Sequence, residues 1–387
     1  MKKKIAILGS TGSIGKTLLK IIEKDKKNFE IKLLTANQNY KLLLLQAKKF
    51  KVKNIIITDY KYYLKIKKLN KDKTINIFSD FKEINKILNK KIDYTMSSIM
   101  GLDGLLPTIQ IIKLTKNIAI ANKEAIICGW NLLKNELTKN KTNFFPVDSE
   151  HYSIWEILNS KHVNDIEKIY ITASGGPFLK KNRNQIQKVK IYQALKHPNW
   201  KMGKKISIDS ATMMNKVFEV IETKNIFDIS YKNISILVHP KSYVHAIIKF
   251  KNGIIKILAH DTSMKIPIFN TLYYKMNKKI NSKLLDIKKL NNLELEEINK
   301  TKFPLTKVIN QLPHKSSLFE TILVVSNDTL VNSFLNKKIE FYQISKLLLK
   351  FIKNKEFQKY KRKKPKKIQD IIELSKYVRL KLKTLSI

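Results

Sequence analysis

A chain of 387 residues is long enough for two or three domains, each with its own core, and it contains no apolar run of 18 residues, which excludes a transmembrane helix. The formal charge of +45 would suit nucleic acid, yet only three arginines occur (Arg183, Arg362, Arg379) and lysine is spread along the whole chain among abundant Ile and Asn. The charge therefore reads as a solvated lysine surface, with no nucleic-acid function expected. A single cysteine, Cys128, cannot form an internal disulfide, which fits a reducing, cytoplasmic setting, and it reads as a small buried residue.

A β-strand is predicted from about Ile5, leaving no room for a signal or transit peptide unless one was removed. The runs KIAIL, TLLKIIEK, FEIKLLTA, YKLLLLQAKKF and NIIITD then alternate strand and helix patterns, with later strands at Tyr94 to Ser98 and Asn117 to Ala121. Such alternation predicts an α/β fold with an N-terminal Rossmann-like parallel sheet over residues 1–147. A central α+β catalytic domain is expected over 148–270, with strands in IEKIYITAS, NISILVHP and GIIKILAH and a helix after Asp209. Residues 271–300, rich in Lys and Asn, read as a linker, and 301–387 as a C-terminal helical domain containing FYQISKLLLKFI. The basic run Lys359 to Lys367 reads as an exposed connector between late helices.

The stretch GSTGSIGKT poses a choice between two phosphate-binding turns. A P-loop ending in Gly15-Lys16-Thr17 would need glycine at position 10, where the chain has Ser10. Gly9, Gly12 and Gly15 instead fit a dinucleotide fingerprint between a strand and a helix, whose N-terminus favours a pyrophosphate. The second strand ends in Asn37-Gln38-Asn39, without the carboxylate that usually binds the ribose of NAD. That absence favours NADP, although no Arg or Lys stands there either.

In PVDSEHYSIW, Asp148 and Glu150 are two residues apart, so on an extended segment both carboxylates would face one way, a start for Mg²⁺ or Mn²⁺; a solvated strand end has the same pattern. In SIDSATMMNKVFEVIE a strand is expected to end near Asp209 and Ser210. A helix follows on which Asn215, Lys216 and Glu219 share a face, and Lys216 with Glu219 could equally be a surface ion pair. Ser174 before two glycines suits a phosphate nest or a plain turn. HPNWKMG, with His197, Trp200 and Gly203, suits a lid or a loop anchored in the core.

Taken in order, GSTGSIG, ANKEA, PVDSEH, SGGPF, HPNWKMG and KISIDSATMMNK closely resemble the 1-deoxy-D-xylulose 5-phosphate reductoisomerase family from about residue 4 to at least residue 270. The resemblance implies metal-dependent isomerisation of that sugar phosphate followed by NADPH reduction to 2-C-methyl-D-erythritol 4-phosphate, in the non-mevalonate isoprenoid route. It implies that Thr11, Gly12, Ser13 and Ile14 hold the cofactor phosphates, and that Asn37, Gln38, Asn39, Asn122, Glu124 and Gly203 complete the cofactor site. Asp148, Glu150 and Glu219 would bind Mg²⁺ or Mn²⁺, with Co²⁺ as a further candidate. Lys123 and Ser149 would contact substrate near the metal, Lys123 as electrostatic help and not as a Schiff-base nucleophile. Ser174, Ser210, Asn215 and Lys216 would grip the phosphate, and His197 with Trp200 would belong to a closing lid. The catalytic set is thus Lys123, Asp148, Glu150, Glu219 and His197, in a homodimer free of membrane and nucleic acid.

Two departures stand out. Members commonly carry Gly-Lys-Asn where this chain has Asn37-Gln38-Asn39, which predicts a weaker grip on the 2′-phosphate. A terminal-domain segment usually like N-A-A-N-E is here Val324 to Asp328, a change expected to bear on packing. The nearest rival is a homoserine-dehydrogenase-like NADPH oxidoreductase, which would share the Rossmann turn and an Ala-Asn-Lys segment but would not need three metal carboxylates.

Overall fold

The computed structural model describes residues 1–71, 73–158 and 163–384. The chain forms two compact units: one from Met1–Ala125, Leu132–Asp148 and Met264–Asn281, the other from Ile126–Asn131, Ser149–Ser263 and the chain from Ser282 onward.

The first unit is built on seven parallel strands: β1 (Lys3–Leu8), β2 (Phe29–Ala36), β3 (Asn54–Ile57), β4 (Asn76–Phe78), β5 (Tyr94–Ser97), β6 (Asn117–Ile120) and β7 (Asn143–Pro146). Their spatial order is β4-β3-β2-β1-β5-β6-β7, with Ile5 in register with Ile31 on one side and Tyr94 on the other. Ile5, Ala6, Ile7 and Leu8 are all fully buried, as in a parallel sheet covered on both faces. Winding reverses at β1, so the crevice beyond the C-terminal ends of β1 and β5 is the topological switch point, the usual ligand position in such sheets. The helix Ser13–Glu23 buries Leu18, Leu19, Ile21 and Ile22. The late segment 264–281 rejoins this unit: Tyr94 and Thr271 share a buried hydroxyl bond of 3.0 Å, and Tyr273 donates to Asp25 at 2.9 Å.

The second unit carries a mixed sheet of β8 (Ile166–Ala173), β9 (Ile234–Val238), β10 (Val244–Phe250), β11 (Ile255–Ala259) and β12 (Glu296–Glu297), in the order β11-β10-β8-β9-β12. β8 and β9 are parallel, the other pairs antiparallel. Between 271 and 300, read above as a linker, lie a short helix, Ile287–Leu290, and the edge strand β12. The helices Phe319–Leu335, Phe341–Ile352 and Ile368–Thr384 complete the unit, and the edge-to-face pair Phe334/Phe341 joins the first two.

One local expectation is corrected. KISIDS is not a strand: Lys204–Ala211 is helical, starting at Gly203 and followed, after a left-handed Met213, by the helix Met214–Phe227. Ile206 and Ile208 mimic a period of two, but Ser207, Ile208, Asp209 and Ala211 are all buried, the pattern of a helix enclosed by its neighbours.

Candidate active site

In the first unit the glycine turn is locked from behind. Thr35 Oγ1 accepts from the Gly9 amide at 2.9 Å, and buried Ser10 exchanges hydrogen bonds with Gln46. A Cβ on Gly9, whose φ is +82°, would lie 2.8 Å from the Ser98 carbonyl, and one on Gly15 would lie 2.5 Å from Ser10 Cα. The fold alone therefore requires those two glycines. Gly12 is different: its nearest neighbour would be the Gly9 carbonyl at 3.4 Å, so the side chain missing there leaves room for a ligand. Gly12 also caps the helix Ser13–Glu23 without a side-chain hydrogen bond and with no acid in the first turn. Thr11, Gly12, Ser13 and Ile14 thus surround amides suited to an anion.

At the end of β2, Asn37 donates to Thr58 at 2.9 Å, Gln38 to Asp59 at 3.1 Å, and Asn39 caps the helix Tyr40–Phe50. Asn122 caps the helix Lys123–Lys139 by accepting from the Ala125 amide at 2.8 Å, and Glu124 is buried in its first turn. Lys123 pairs with Asp148 at 3.0 Å.

The Asp148/Glu150 pair does not lie on an extended segment, as its spacing suggested. Asp148 precedes the helix Ser149–Leu158 and Glu150 sits in its first turn, where the helix dipole favours carboxylates. One carboxylate oxygen each from Asp148, Glu150 and Glu219 lies within 4.8 Å of the others. Lys216 bonds Glu150 at 2.9 Å and also Glu219, while Asn215 donates to the other Glu219 oxygen and Ser149 Oγ donates to Glu150 at 2.7 Å. Lys216 is 5% exposed and Glu219 1%, so this is no surface ion pair. Burial alone would raise the Glu150 pKa, but the Lys216 charge, His245 and the Ser149 and Lys216 hydrogen bonds hold it well below the carboxylate range. Burial likewise opposes the charge on Lys216, yet Glu150 and Glu219 together raise its pKa. Three hard oxygen donors, Glu150 and Glu219 held by the Lys216 ammonium and Asp148 by that of Lys123, fit Mg²⁺ or Mn²⁺.

Ser174 and His197, 23 residues apart, meet at 2.9 Å. His197 Nδ1 accepts from the Asn199 and Trp200 amides, so Nε2 carries the proton and donates to Ser174 Oγ. Ser174 Oγ accepts a second bond from the Gly176 amide, leaving its own proton to donate elsewhere. Burial, then the Lys216 charge, pushes the His197 pKa down to about 4, in keeping with that neutral tautomer. Gly176, at φ +66°, would place a Cβ 2.9 Å from the Ser210 carbonyl, so glycine here lets the Ser174 turn pack directly against the helix bearing Ser210. Gly203 faces open space.

Four residues escaped the sequence reading. His151, fully buried, reaches the Glu219 carbonyl at 3.0 Å and Thr223 at 3.1 Å; with Asp148 and Glu222 it forms a second set of atoms within 4.8 Å. His245 and His260 stack with ring centroids 3.8 Å apart. The SEH tripeptide was a usable signal for His151; the others sit in apolar or turn contexts without metal-ligand spacing.

Family models described as 1-deoxy-D-xylulose 5-phosphate reductoisomerase, its C-terminal domain, and DXP reductoisomerase C-terminal domain match residues 5–129, 144–227 and 260–381. The chain is 57% identical to 1-deoxy-D-xylulose 5-phosphate reductoisomerase of Pelagibacter ubique (strain HTCC1062) over 387 residues, 100% of both chains. It is 37% identical to that of Clostridium tetani (strain Massachusetts / E88) over 97% of both. Among solved structures, a DOX-P reductoisomerase in complex with NADPH, fosmidomycin and magnesium matches with a TM-score of 0.91 at 30% identity, over 99% of this chain and 98% of that one. The Zymomonas mobilis enzyme in complex with NADPH matches at 0.88 and 29%, over 100% and 99%. Motifs, carboxylate cluster and full-length similarity converge, and the chain belongs to the 1-deoxy-D-xylulose 5-phosphate reductoisomerase family.

Proposed function

We propose that this chain converts 1-deoxy-D-xylulose 5-phosphate to 2-C-methyl-D-erythritol 4-phosphate, with the site residues assigned as follows. The observation that carries the assignment is the meeting of the Asp148, Glu150 and Glu219 carboxylates, for which the homoserine-dehydrogenase-like alternative has no use; the full-length family match does not favour that alternative. When bound, a divalent cation supplies Lewis acidity at the substrate oxygens and NADPH supplies the hydride.

Asp148, Glu150 and Glu219 would hold the cation, with Lys123 and Lys216 offsetting the negative charge that remains. Ser149, hydrogen-bonded to Glu150, orients that carboxylate and would contact the substrate near the metal. Ser174, whose proton is free to donate because His197 and Gly176 occupy its lone pairs, would bind the phosphate with Ser210, Asn215 and Lys216. Anchoring the phosphate orients the reacting carbons. His197 fixes the Trp200 backbone, and the loop would exclude water as a lid. In the first unit, Thr11 to Ile14 would receive the NADPH phosphates, with Asn37, Gln38, Asn39, Asn122, Glu124 and Gly203 around the rest of the cofactor. Gln38 in place of a cation predicts a weaker hold on the 2′-phosphate. Residues 1–147 serve as the NADPH-binding region, 148–270 as the catalytic region and 301–387 as the helical region, in a cytoplasmic homodimer. No described helix is long and apolar enough to cross a membrane.

The test is Glu150→Gln, which removes a charged ligand with little change in shape. Metal-dependent NADPH oxidation with the sugar phosphate should fall at least about a hundredfold, and Mn²⁺ binding followed by calorimetry should weaken in parallel. Unchanged turnover and Mn²⁺ affinity would sink the metal assignment.

A further inference from the structure

The strand β10 carries a register shift between Val244 and Ala246, which pair with Ala259 and Leu258 of β11, so His245 is the extra residue of a β-bulge. A bulge re-aims one side chain. Here it brings the His245 ring face to face with that of His260, just past the end of β11, at 3.8 Å between centroids and 23° between planes. The two rings are 1% and 8% exposed. His245 Nε2 lies 3.2 Å from the His260 carbonyl, which can only accept, so the proton sits on Nε2. By the same logic His260 Nδ1, 2.7 Å from the Asp261 carbonyl, is protonated and Nε2 is not. Residue 260 thus acts twice on His245: its carbonyl sets the tautomer, its ring sets the plane. The other aromatic neighbour of His245 is Trp200, in an edge-to-face arrangement at 6.2 Å and 68°. Trp200 is in turn tied through its amide to His197 and so to Ser174.

We propose that His260 is a positioning residue for the substrate cover: its ring backs His245, which is the seat on which Trp200 settles when the 197–203 loop closes over the sugar phosphate. His260 Nε2 is enclosed and has no hydrogen-bond partner among the described residues, so the side chain acts through its neighbour and not by touching substrate. The imidazoles of His245 and His260 belong to no three-ligand cluster among the described residues, which separates this column of rings from the metal carboxylates. The charge of Glu150 nevertheless acts on both rings, placing the column beside the reaction centre. Burial keeps both rings neutral, with His245 pushed down to about 3, and two neutral rings can stack without repulsion.

The inference rests on the reading of the Trp200 loop as a substrate cover, and the experiment separates the two. Trp200→Ala, His260→Ala, His260→Phe and His260→Gln are compared with wild type for KM and kcat with 1-deoxy-D-xylulose 5-phosphate and for KM with NADPH. His260→Ala should raise the sugar-phosphate KM about three- to tenfold, the worth of one aromatic stack, with the NADPH KM within twofold. His260→Phe, which restores a stacking ring without its nitrogens, should return the KM to within about twofold of wild type, and His260→Gln should not. If Trp200→Ala leaves the sugar-phosphate KM unchanged, the lid reading fails. If Trp200→Ala raises it and His260→Ala does not, or if His260→Phe is as impaired as His260→Ala, the positioning role of His260 is overturned. Should His260→Ala fail to fold, the contrast between His260→Phe and His260→Gln decides alone.

Discussion

His197 shows how one side chain can be assigned a protonation state and a direction from its neighbours. Two backbone amides point at Nδ1, so a proton there would face two other protons across 3.0 to 3.1 Å. Burial and the Lys216 charge act in the same sense, and the pKa falls to about 4. The sign follows from proton uptake: between about pH 6.5 and pH 4 an unfolded histidine binds a proton that the folded ring refuses. The stability this group contributes is full above pH 6.5 and is lost as pH falls through that window. Chemically the consequence is opposite in appearance, since Ser174 keeps its donor partner and its proton stays free for the proposed phosphate contact throughout the window. In ¹⁵N-histidine spectra assigned by comparison with His197→Gln, the His197 ring should remain largely unprotonated at Nδ1 at about pH 5.5, where a free histidine is mostly charged. A ring titrating near 6.5 would refute the tautomer and the hydrogen-bond direction derived from it.

Elements were legible where a hydrophobic period met a capping or turn residue. FEIKLLTA, YKLLLLQAKKF and FYQISKLLLKFI became β2 and the helices Tyr40–Phe50 and Phe341–Ile352 residue for residue. β10 went unread because VHAIIKF is buried at nearly every position, so its pattern has no period, and its bulge, which aims His245, leaves no mark in composition. Asp148, Glu150 and Glu219 stood out in the sequence as candidate oxygen ligands, whereas a surface ion pair stayed an equal reading for Lys216 and Glu219, because burial is a tertiary fact. The segment Val324 to Asp328 is where the element scale bears on the site. From the helix Phe319–Leu335, Asn327 donates to Asp209 at 2.7 Å, both residues at most 1% exposed, and Lys205 bridges Asp209 and Asp328 at 3.2 and 2.9 Å. Asp209 immediately precedes Ser210, so this anchor sets the pose of a proposed phosphate ligand from behind. Asn327→Ala removes one hydrogen bond to a buried carboxylate, and should lower stability by about 2 kcal/mol in urea titration. The sugar-phosphate KM should rise while the NADPH KM stays put. Equal shifts in both constants would mean that the anchor supports the fold in general and not the Ser210 helix.

At the scale of the whole molecule the open question is what covers β11. Among the described residues it pairs with β10 alone, and its outer edge is the end of the five-stranded sheet. Ile255 and Ile257, two apart and therefore on one face, are 57% and 52% exposed, and Ile254 beside them is 48% exposed. An edge strand left apolar invites pairing, and chains that stay apart usually place charge there. The rest of this chain does: its +45 charge makes any two copies repel, so association needs a patch where lysine gives way to apolar surface. β11 offers Ile255 and Ile257 on one face, with Lys256 between them on the other, and a second copy of the chain is the occupant that the proposed homodimer would place there. Half-exposed isoleucines contribute roughly 1 kcal/mol each when covered, so the four from two copies are worth about 4 kcal/mol, or roughly a thousandfold in affinity. Replacing both by lysine in Ile255→Lys/Ile257→Lys removes that burial and adds four charges to the dimer. Light scattering on the eluting peak at micromolar concentration should give the mass of two 45.2 kDa chains for wild type and of one for the double variant. A variant that remains a dimer would move the interface away from β11, and a wild-type monomer would remove the homodimer from the proposed function altogether.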